Sequence, residues 1–226
     1  MNLGMLFSGG KDSALALHEA MKKNDIACLI SVISENWYSY MFHTPNITLT
    51  QLQAQSIGIP LIHYSSQGEK EKELQDLARA LQEAIDRYDV EGIVTGAIQS
   101  VYQATRIQKL CHELDLWCFN PLWLKNQHTL LYELIETGFE VIISGVYAYP
   151  FTREWLGRML DRTTIKELVQ LQRKYGISPS GEGGEIETTV LDAPYFNQKI
   201  QVLSSQTEFN KYTGQYIITD ACLVDK

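Results

Sequence analysis

The apolar residues of this chain fall into two patterns: short continuous runs, and longer stretches in which they return every third or fourth position. The first reads as strand buried on both faces, the second as amphipathic helix. Residues 3–7 open the series as a strand, followed by a helix over about 12–23 and a second strand at 26–33. Thr48 with Gln51 has the spacing of a capping box, and Gly58 before Pro60 that of a helix stop, so a short helix precedes a third strand at 61–64. Leu74, Leu77, Ala78, Leu81, Ile85 and Tyr88 mark the clearest helix, whose charged residues form a solvated face. A fourth strand at 92–95, a helix starting near Gln99 and a short strand at 116–119 complete an alternation that predicts an α/β fold with a parallel sheet covered on both faces.

The pattern changes after Pro121 and Trp123. Helices at 127–136 and 153–160 flank an apolar strand at 139–146, and Thr164 with Glu167 starts a further helix that Gly176 ends. Beyond Pro179 come short alternating runs at 187–191, 199–203 and 215–224, separated by Pro194, Asn197 and Gly214, which predict a small antiparallel element. The expected organisation is a parallel-sheet domain over 1–123 and a smaller α+β region over 124–226.

Composition narrows the class. A chain of 226 residues that is 45% hydrophobic can bury a full core. Its net charge of -8 and pI near 5.1 argue against a nucleic-acid partner. Cys28, Cys111, Cys118 and Cys222 include no C-x-x-C pair and read as reduced thiols, and no apolar run reaches membrane-spanning length. A cytoplasmic protein is expected, with neither nucleic acid nor membrane as partner.

The chemistry concentrates at Ser8-Gly9-Gly10-Lys11-Asp12-Ser13, where the first strand turns into the first helix. Gly9 and Gly10 allow backbone angles that side chains forbid and leave room for an anion, while the amides of the helix's first turn favour negative charge. Ser8 and Ser13 add hydroxyls and Lys11 an ammonium. Asp12, a carboxylate beside a phosphate site, makes most sense with magnesium between the two. The loop is too short for the usual G-x-x-x-x-G-K-[ST] phosphate loop.

Two further stretches carry ordered polar residues. On the helix after the fourth strand, Gln99, Tyr102, Gln103 and Arg106 share one side and Ile107, Leu110, Cys111 and Leu114 the other. This places Gln99 and Ser100 at the carboxyl end of a central strand, where open parallel sheets bind ligands. Arg106 either reaches a phosphate or carboxylate or sits on the surface. Gly181, Gly183 and Gly184, interleaved with Glu182 and Glu185, make a tight loop from which carboxylates project, an electrostatic match for a cation or a metal-bound partner. Residues 34–46 are aromatic and irregular, either a substrate-holding loop or a packed lid.

The motif from Ser8 to Ser13 resembles the PP-loop of the N-type ATP pyrophosphatases, which cleave ATP between its α and β phosphates. Within that group the chain resembles the diphthine-ammonia ligase family. The resemblance rests on Gly96-Ala97-Ile98-x-Ser100-x-Tyr102-Gln103-x-x-Arg106, on Pro121-Leu122-Trp123, and on Gly181-Glu182-Gly183-Gly184-Glu185-x-x-Thr188. These motifs cover most of the chain, leaving only the last 30 residues without a signature.

The resemblance implies an adenine nucleotide alpha hydrolase-like, Rossmann-like ATP-binding domain. It implies ATP-dependent amidation of diphthine on translation elongation factor 2 through an acyl adenylate, with ATP and magnesium required. Ser8, Gly9, Gly10, Lys11, Asp12, Ser13, Gly96, Gln99 and Ser100 would then bind the nucleotide, with Lys11, Asp12 and Arg106 catalytic and Asp12 on the metal. Tyr102, Gln103, Arg106, Glu182, Gly183, Gly184, Glu185 and Glu187 would bind the substrate. Its trimethylammonium group would find charge at Glu182, Glu185 and Glu187 and aromatic faces among Tyr147, Tyr149, Phe151 and Trp155. Asn2, where an N-terminal-nucleophile amidotransferase needs cysteine, makes free ammonium the expected nitrogen source. The alternatives are a tRNA-modifying ATP pyrophosphatase and a non-enzymatic ATP-binding sensor.

Overall fold

A computed structural model describes residues 1–34, 45–66 and 73–226. Most of the aromatic stretch, including Trp37, Tyr38, Tyr40, Phe42 and His43, lies outside the described residues. Strands β1 (Asn2–Leu6), β2 (Asp25–Ser34), β3 (Leu61–Ser66), β4 (Gly92–Val94) and β5 (Trp117–Phe119) form a five-stranded sheet in the order β3-β2-β1-β4-β5. Every pairing in it is parallel. The order reverses beside β1, so the crevice at the carboxyl ends of β1 and β4 is where such a sheet accepts a ligand.

Helices α1 (Lys11–Met21), α2 (Thr50–Ile57), α3 (Glu73–Tyr88) and α4 (Val101–Glu113) connect these strands. On one face of the sheet, Leu77, Ala80, Leu81 and Ala84 of α3 and Ile107 and Cys111 of α4 pack on Ile30, Ile62 and Ile93. On the other face α1 is buried along most of its length, with Ala14, Leu15, Ala16 and Leu17 all inaccessible to solvent.

The chain continues through α5 (Gln127–Glu136), β6 (Glu140–Tyr147), α6 (Arg162–Tyr175), β7 (Ile186–Asp192), β8 (Lys199–Asn210) and β9 (Thr213–Val224). The last four strands named form a second, antiparallel sheet in the order β7-β6-β9-β8. Its apolar face closes on α1: Val141, Ile143, Phe151 and Ile186 share one continuous core with Leu3, Met5, Phe7 and Leu15. No helix among the described residues is long and apolar enough to cross a membrane.

Five local expectations are corrected. The helix expected over 153–160 is only a 3₁₀ turn at Arg153–Trp155, because Gly157 takes a positive φ of 78° and the chain goes on to an antiparallel bridge between Met159 and Ile142. Phe151 and Trp155 are core residues, 0% and 8% exposed, and so offer no face to a ligand. The Thr48 and Gln51 capping box does not form: the chain enters α2 through a 3₁₀ turn at Ile47–Leu49, with Asn46 at φ 63° and the Thr50 hydroxyl on the Ile47 carbonyl at 2.6 Å.

The start of α6 is likewise set by Asp161, whose carboxylate accepts from the Thr164 amide at 2.7 Å, while Glu167 turns to a two-pronged pair with Arg158. Finally, β8 runs on to Asn210, well beyond the run expected at 199–203, whereas β9 begins only two residues before the run expected at 215–224. The outer half of β8, Ser204 to Glu208, is polar and largely exposed on an edge strand, so hydrophobic alternation does not reveal it.

Candidate active site

The loop at 8–13 is held from three sides. Gly9 takes a φ of 75°, a conformation open to glycine, and a side chain there would strike Gln53. Gln53, fully buried on α2, donates its amide to the carbonyls of Gly9 at 3.0 Å and Val190 at 2.8 Å. The Val190 amide returns a bond to the Gly9 carbonyl at 3.0 Å, and the Thr188 hydroxyl accepts from the Lys11 amide at 3.1 Å. Within the loop the Ser8 and Ser13 hydroxyls lie 3.1 Å apart, and Ser13 donates to the Gly10 carbonyl at 3.0 Å.

Gly10 begins α1 with no side-chain cap, so the helix end keeps its positive dipole facing the crevice. From the other side, Gly96 after β4 touches the same turn. A Cβ on Gly96 would stand 2.8 Å from the Ser13 nitrogen and 2.9 Å from the Asp12 carbonyl carbon.

The charges are unevenly matched. Lys11 is 4% exposed, and its Nζ lies 2.7 Å from Asp12 Oδ2. The other oxygen of that carboxylate, Oδ1, is buried and has no partner among the described residues. A buried carboxylate oxygen left bare beside an uncapped helix end fits magnesium, which takes one or two carboxylates, several waters and phosphate oxygens. Among the described residues no group of three acidic, histidine or cysteine side chains is placed to hold a metal without such help.

Two more carboxylates share this field. Glu182 is pushed up by burial and by the Asp12 charge, with partial relief from the Gln99 amide, which donates to it at 3.0 Å. Glu187 is pushed up to about 7, chiefly by burial and further by Asp12, against the opposing pull of Lys11. Burial also raises the Tyr147 phenol, and the Glu187 charge raises it further.

These groups line one cleft of about 1150 Å³. At one end Leu6, Ile30, Val32, Leu77 and Ile107 form an apolar recess of the kind that receives a flat base; the middle is the 8–13 loop with Thr95, Gly96, Ser100 and Gln103. The far wall is Tyr147, Glu182, Glu187 and Thr188, closed by the tip of the β8–β9 hairpin through Glu208, Asn210 and Gln215.

The structure thus brings Ser8, Gly10, Lys11, Asp12, Ser13, Gly96, Ser100, Gln103, Glu182, Gly183, Gly184 and Glu187 to one cleft, with Gly9 behind it as a structural pivot. Besides Gly9, four expected site residues stand outside its lining: Gln99, Tyr102, Arg106 and Glu185. Gln99 contributes its backbone amide to Glu182, while its side chain accepts from Gln127 at 3.3 Å. Arg106 stacks on the Tyr102 ring, 3.4 Å from ring centre to guanidinium carbon, and donates to the Tyr102 carbonyl at 3.4 Å. Glu185 folds back into its own loop, accepting from the Ser178 amide at 2.9 Å, with its second oxygen buried and unpartnered.

Sequence reasoning missed Gln53, Thr188, Val190 and the hairpin tip. Thr188 stands within the glycine-rich motif and was open to detection. Gln53 and the hairpin carry no local pattern, because their roles arise only when α2 and the second sheet meet the loop.

Comparison with known proteins gives the family. The diphthamide synthase N-terminal domain matches residues 1–117, and the diphthamide synthase C-terminal domain matches residues 126–224. The diphthine-ammonia ligase of Schizosaccharomyces pombe is 32% identical, over 98% of this chain and 39% of that protein; the chain therefore spans well under half of that relative. The diphthine-ammonia ligase of Bos taurus is 34% identical over 91% of this chain and 84% of its own length. Among solved structures, a predicted tRNA methyltransferase subunit from Methanocaldococcus jannaschii aligns at 18% identity with a TM-score of 0.44, over 86% of this chain and 98% of that one. The chain belongs to the diphthamide synthase family.

Proposed function

We propose that this chain is a diphthine-ammonia ligase, which uses ATP to convert the carboxylate of diphthine on translation elongation factor 2 into the amide of diphthamide. Family membership supplies the reaction class, and the observation that carries it to this site is the split environment of Asp12. One carboxylate oxygen is held by Lys11 and the other is bare, at an uncapped helix end inside a cleft large enough for a nucleotide and a second substrate.

A carboxylate is a poor electrophile, so it must first be activated as an acyl adenylate with release of pyrophosphate; ammonia then displaces AMP. The apolar recess beside Ile30 and Ile107 receives the base. The first turn of α1, with Ser8, Ser13 and Lys11, receives the polyphosphate, and Gln53 and Thr188 fix that turn so that its donors are in place before the substrate arrives. Magnesium, held by Asp12 and the phosphates, would offset charge on the departing pyrophosphate. Gln103 and Glu182 both line the cleft with the loop, where the carboxylate must come in line with the α-phosphate. The hairpin tip narrows the entrance and helps keep water from the adenylate.

The reading of 1–123 as the ATP-binding part and 124–226 as the substrate part fits this division of labour, with Thr188 and Val190 as the points where the second part braces the first. A tRNA-thiolating alternative draws no support from the site: Cys111 and Cys118 do meet as a hydrogen-bonded pair, but neither lines the cleft. The test is incubation with ATP, magnesium, ammonium and diphthine-bearing elongation factor 2. The expected products are AMP, pyrophosphate and a protein amide seen by mass. ADP and orthophosphate, or an unmodified factor after ATP consumption, would overturn the proposal.

A further inference from the structure

Among the carboxylates at the far wall, Glu187 differs from its neighbours. Glu182 accepts from the Gln99 amide and Glu185 from the Ser178 amide. Glu187 makes no hydrogen bond and no ion pair among the described residues, although it sits half-buried in the cleft. The nearest cation that acts on it, Lys11, is committed to Asp12 at 2.7 Å.

The strand pairing explains what lies beside it. Gly145 on β6 pairs with Glu187 on β7 and with Gln215 on β9, so the three positions form one row across the sheet with their side-chain directions on one face. Tyr147, two residues along β6, shares that face and folds back across Gly145. A Cβ at Gly145 would lie 2.6 Å from the Tyr147 hydroxyl oxygen and 2.8 Å from its ring, so glycine is what lets the ring lie there. Gln215 fixes the ring by donating to its hydroxyl at 3.0 Å. The outcome is an aromatic ring lining the cleft, side by side with a carboxylate that has no donor.

Such a pair suits a cation that has charge but no hydrogen to donate. An ammonium or guanidinium would be held better by a carboxylate with further acceptors around it, whereas a quaternary ammonium is bound by an aromatic face and an undirected negative charge. We propose that Tyr147 and Glu187 form a subsite for a quaternary ammonium group carried on the carbon next to the reacting carboxylate. The inference rests on the proposed function for the identity of its ligand: the trimethylammonium of diphthine is on that carbon, so it must lie within a few bonds of the α-phosphate. Glu187 and Tyr147 line the same cleft as Lys11 and Asp12, which sets the subsite beside the phosphate position.

The experiment is calorimetric titration of two small probes into the full chain with magnesium and an ATP analogue not cleavable between its α and β phosphates. One probe is the zwitterion N,N,N-trimethyl-2-aminobutyrate, the other its tert-butyl analogue, in which carbon replaces the quaternary nitrogen and the carboxylate is kept. The wild type is expected to bind the trimethylammonium probe about tenfold more tightly than the tert-butyl one, the scale of a partly desolvated cation-aromatic contact. Glu187→Gln and Tyr147→Leu should each remove most of that preference, and Tyr147→Phe, which keeps the ring, should retain it. Equal binding of the two probes by the wild type, or an undiminished preference in Glu187→Gln, overturns the subsite. The amidation assay reports separately on the function: amide formation with no probe preference sinks only the subsite, and probe preference without amide formation sinks only the ligase reading.

Discussion

Gly96 and Asp12 stand so close that a single methyl group added to Gly96 would lie 2.9 Å from the Asp12 carbonyl carbon. The loop after β4 therefore rests directly on the first turn of α1, and glycine at 96 is the condition for that contact. Gly96→Ala is expected to push the two apart by a few tenths of an ångström. Since small displacements of positioned donors are felt strongly in turnover, kcat/KM for ATP should fall at least tenfold. The fold should lose only about 1–3 kcal/mol, the usual range for overpacking. Turnover and urea denaturation of the same variant decide it, and wild-type turnover would mean that the contact is incidental.

Gln53→Leu tests the clamp behind the loop. The side chain is fully buried and bridges two carbonyls, and the Gly9 carbonyl keeps its bond from the Val190 amide when the bridge is removed. The Val190 carbonyl does not gain another donor, so the variant should be less stable by about 2–3 kcal/mol, the cost of a buried polar group left unpaired. Because Gln53 connects α2 to β7 through the loop, KM for ATP should rise as well. A variant as stable as the wild type would show that water replaces the bridge without loss.

How much of this was readable in advance depended on how local the cause was. The order and type of the first five strands followed from apolar runs separated by helical stripes, because each such run is buried by its own periodicity. The 8–13 loop was readable because a strand, two glycines and a helix start lie within a few residues. Arg106 shows the limit: helix spacing put it on the polar side of α4, but not that Tyr102 one turn earlier would capture it. Glu185 and Glu187 are two residues apart in one motif, yet the first turns back to the Ser178 amide and the second projects into the cleft. That distinction is made by Gly181 and Gly184, whose positive φ values of 81° and 78° fold the loop, and by the pairing of Glu187 with Gly145 on a distant strand. The hairpin tip was invisible for the same reason, since a polar edge strand has meaning only against the cleft that it closes.

Asp12→Asn retains the shape of the side chain and removes its charge. The Lys11 contact weakens and the bare Oδ1 position is no longer a carboxylate oxygen for magnesium. Turnover should drop by about 100-fold or more, the scale of losing one strong electrostatic contact in a transition state, and the magnesium concentration needed for half-maximal rate should rise. An unchanged magnesium requirement would place Asp12 as a helix-terminal charge only.

The last expectation concerns acid and base. Glu187 has a folded-state carboxyl raised from an ordinary value of 4.5 to about 7, chiefly because burial disfavours its charge. Between those two values the folded protein holds a proton that the unfolded chain has lost. Stability therefore falls as pH rises through this window, and the loss is complete above the folded value. A shift of that size corresponds to about 3 kcal/mol at pH 8. Glu182, raised in the same direction by burial and by Asp12, adds to the slope. Glu187→Gln removes the larger contribution, so without ligands the variant should match the wild type near pH 4.5 and exceed its stability at pH 8, with a flatter profile between. Chemical denaturation at pH 5, 6.5 and 8 measures this directly. If the two profiles run parallel, Glu187 is already stabilised as a carboxylate in the empty cleft, and the charge there does not wait for a cation.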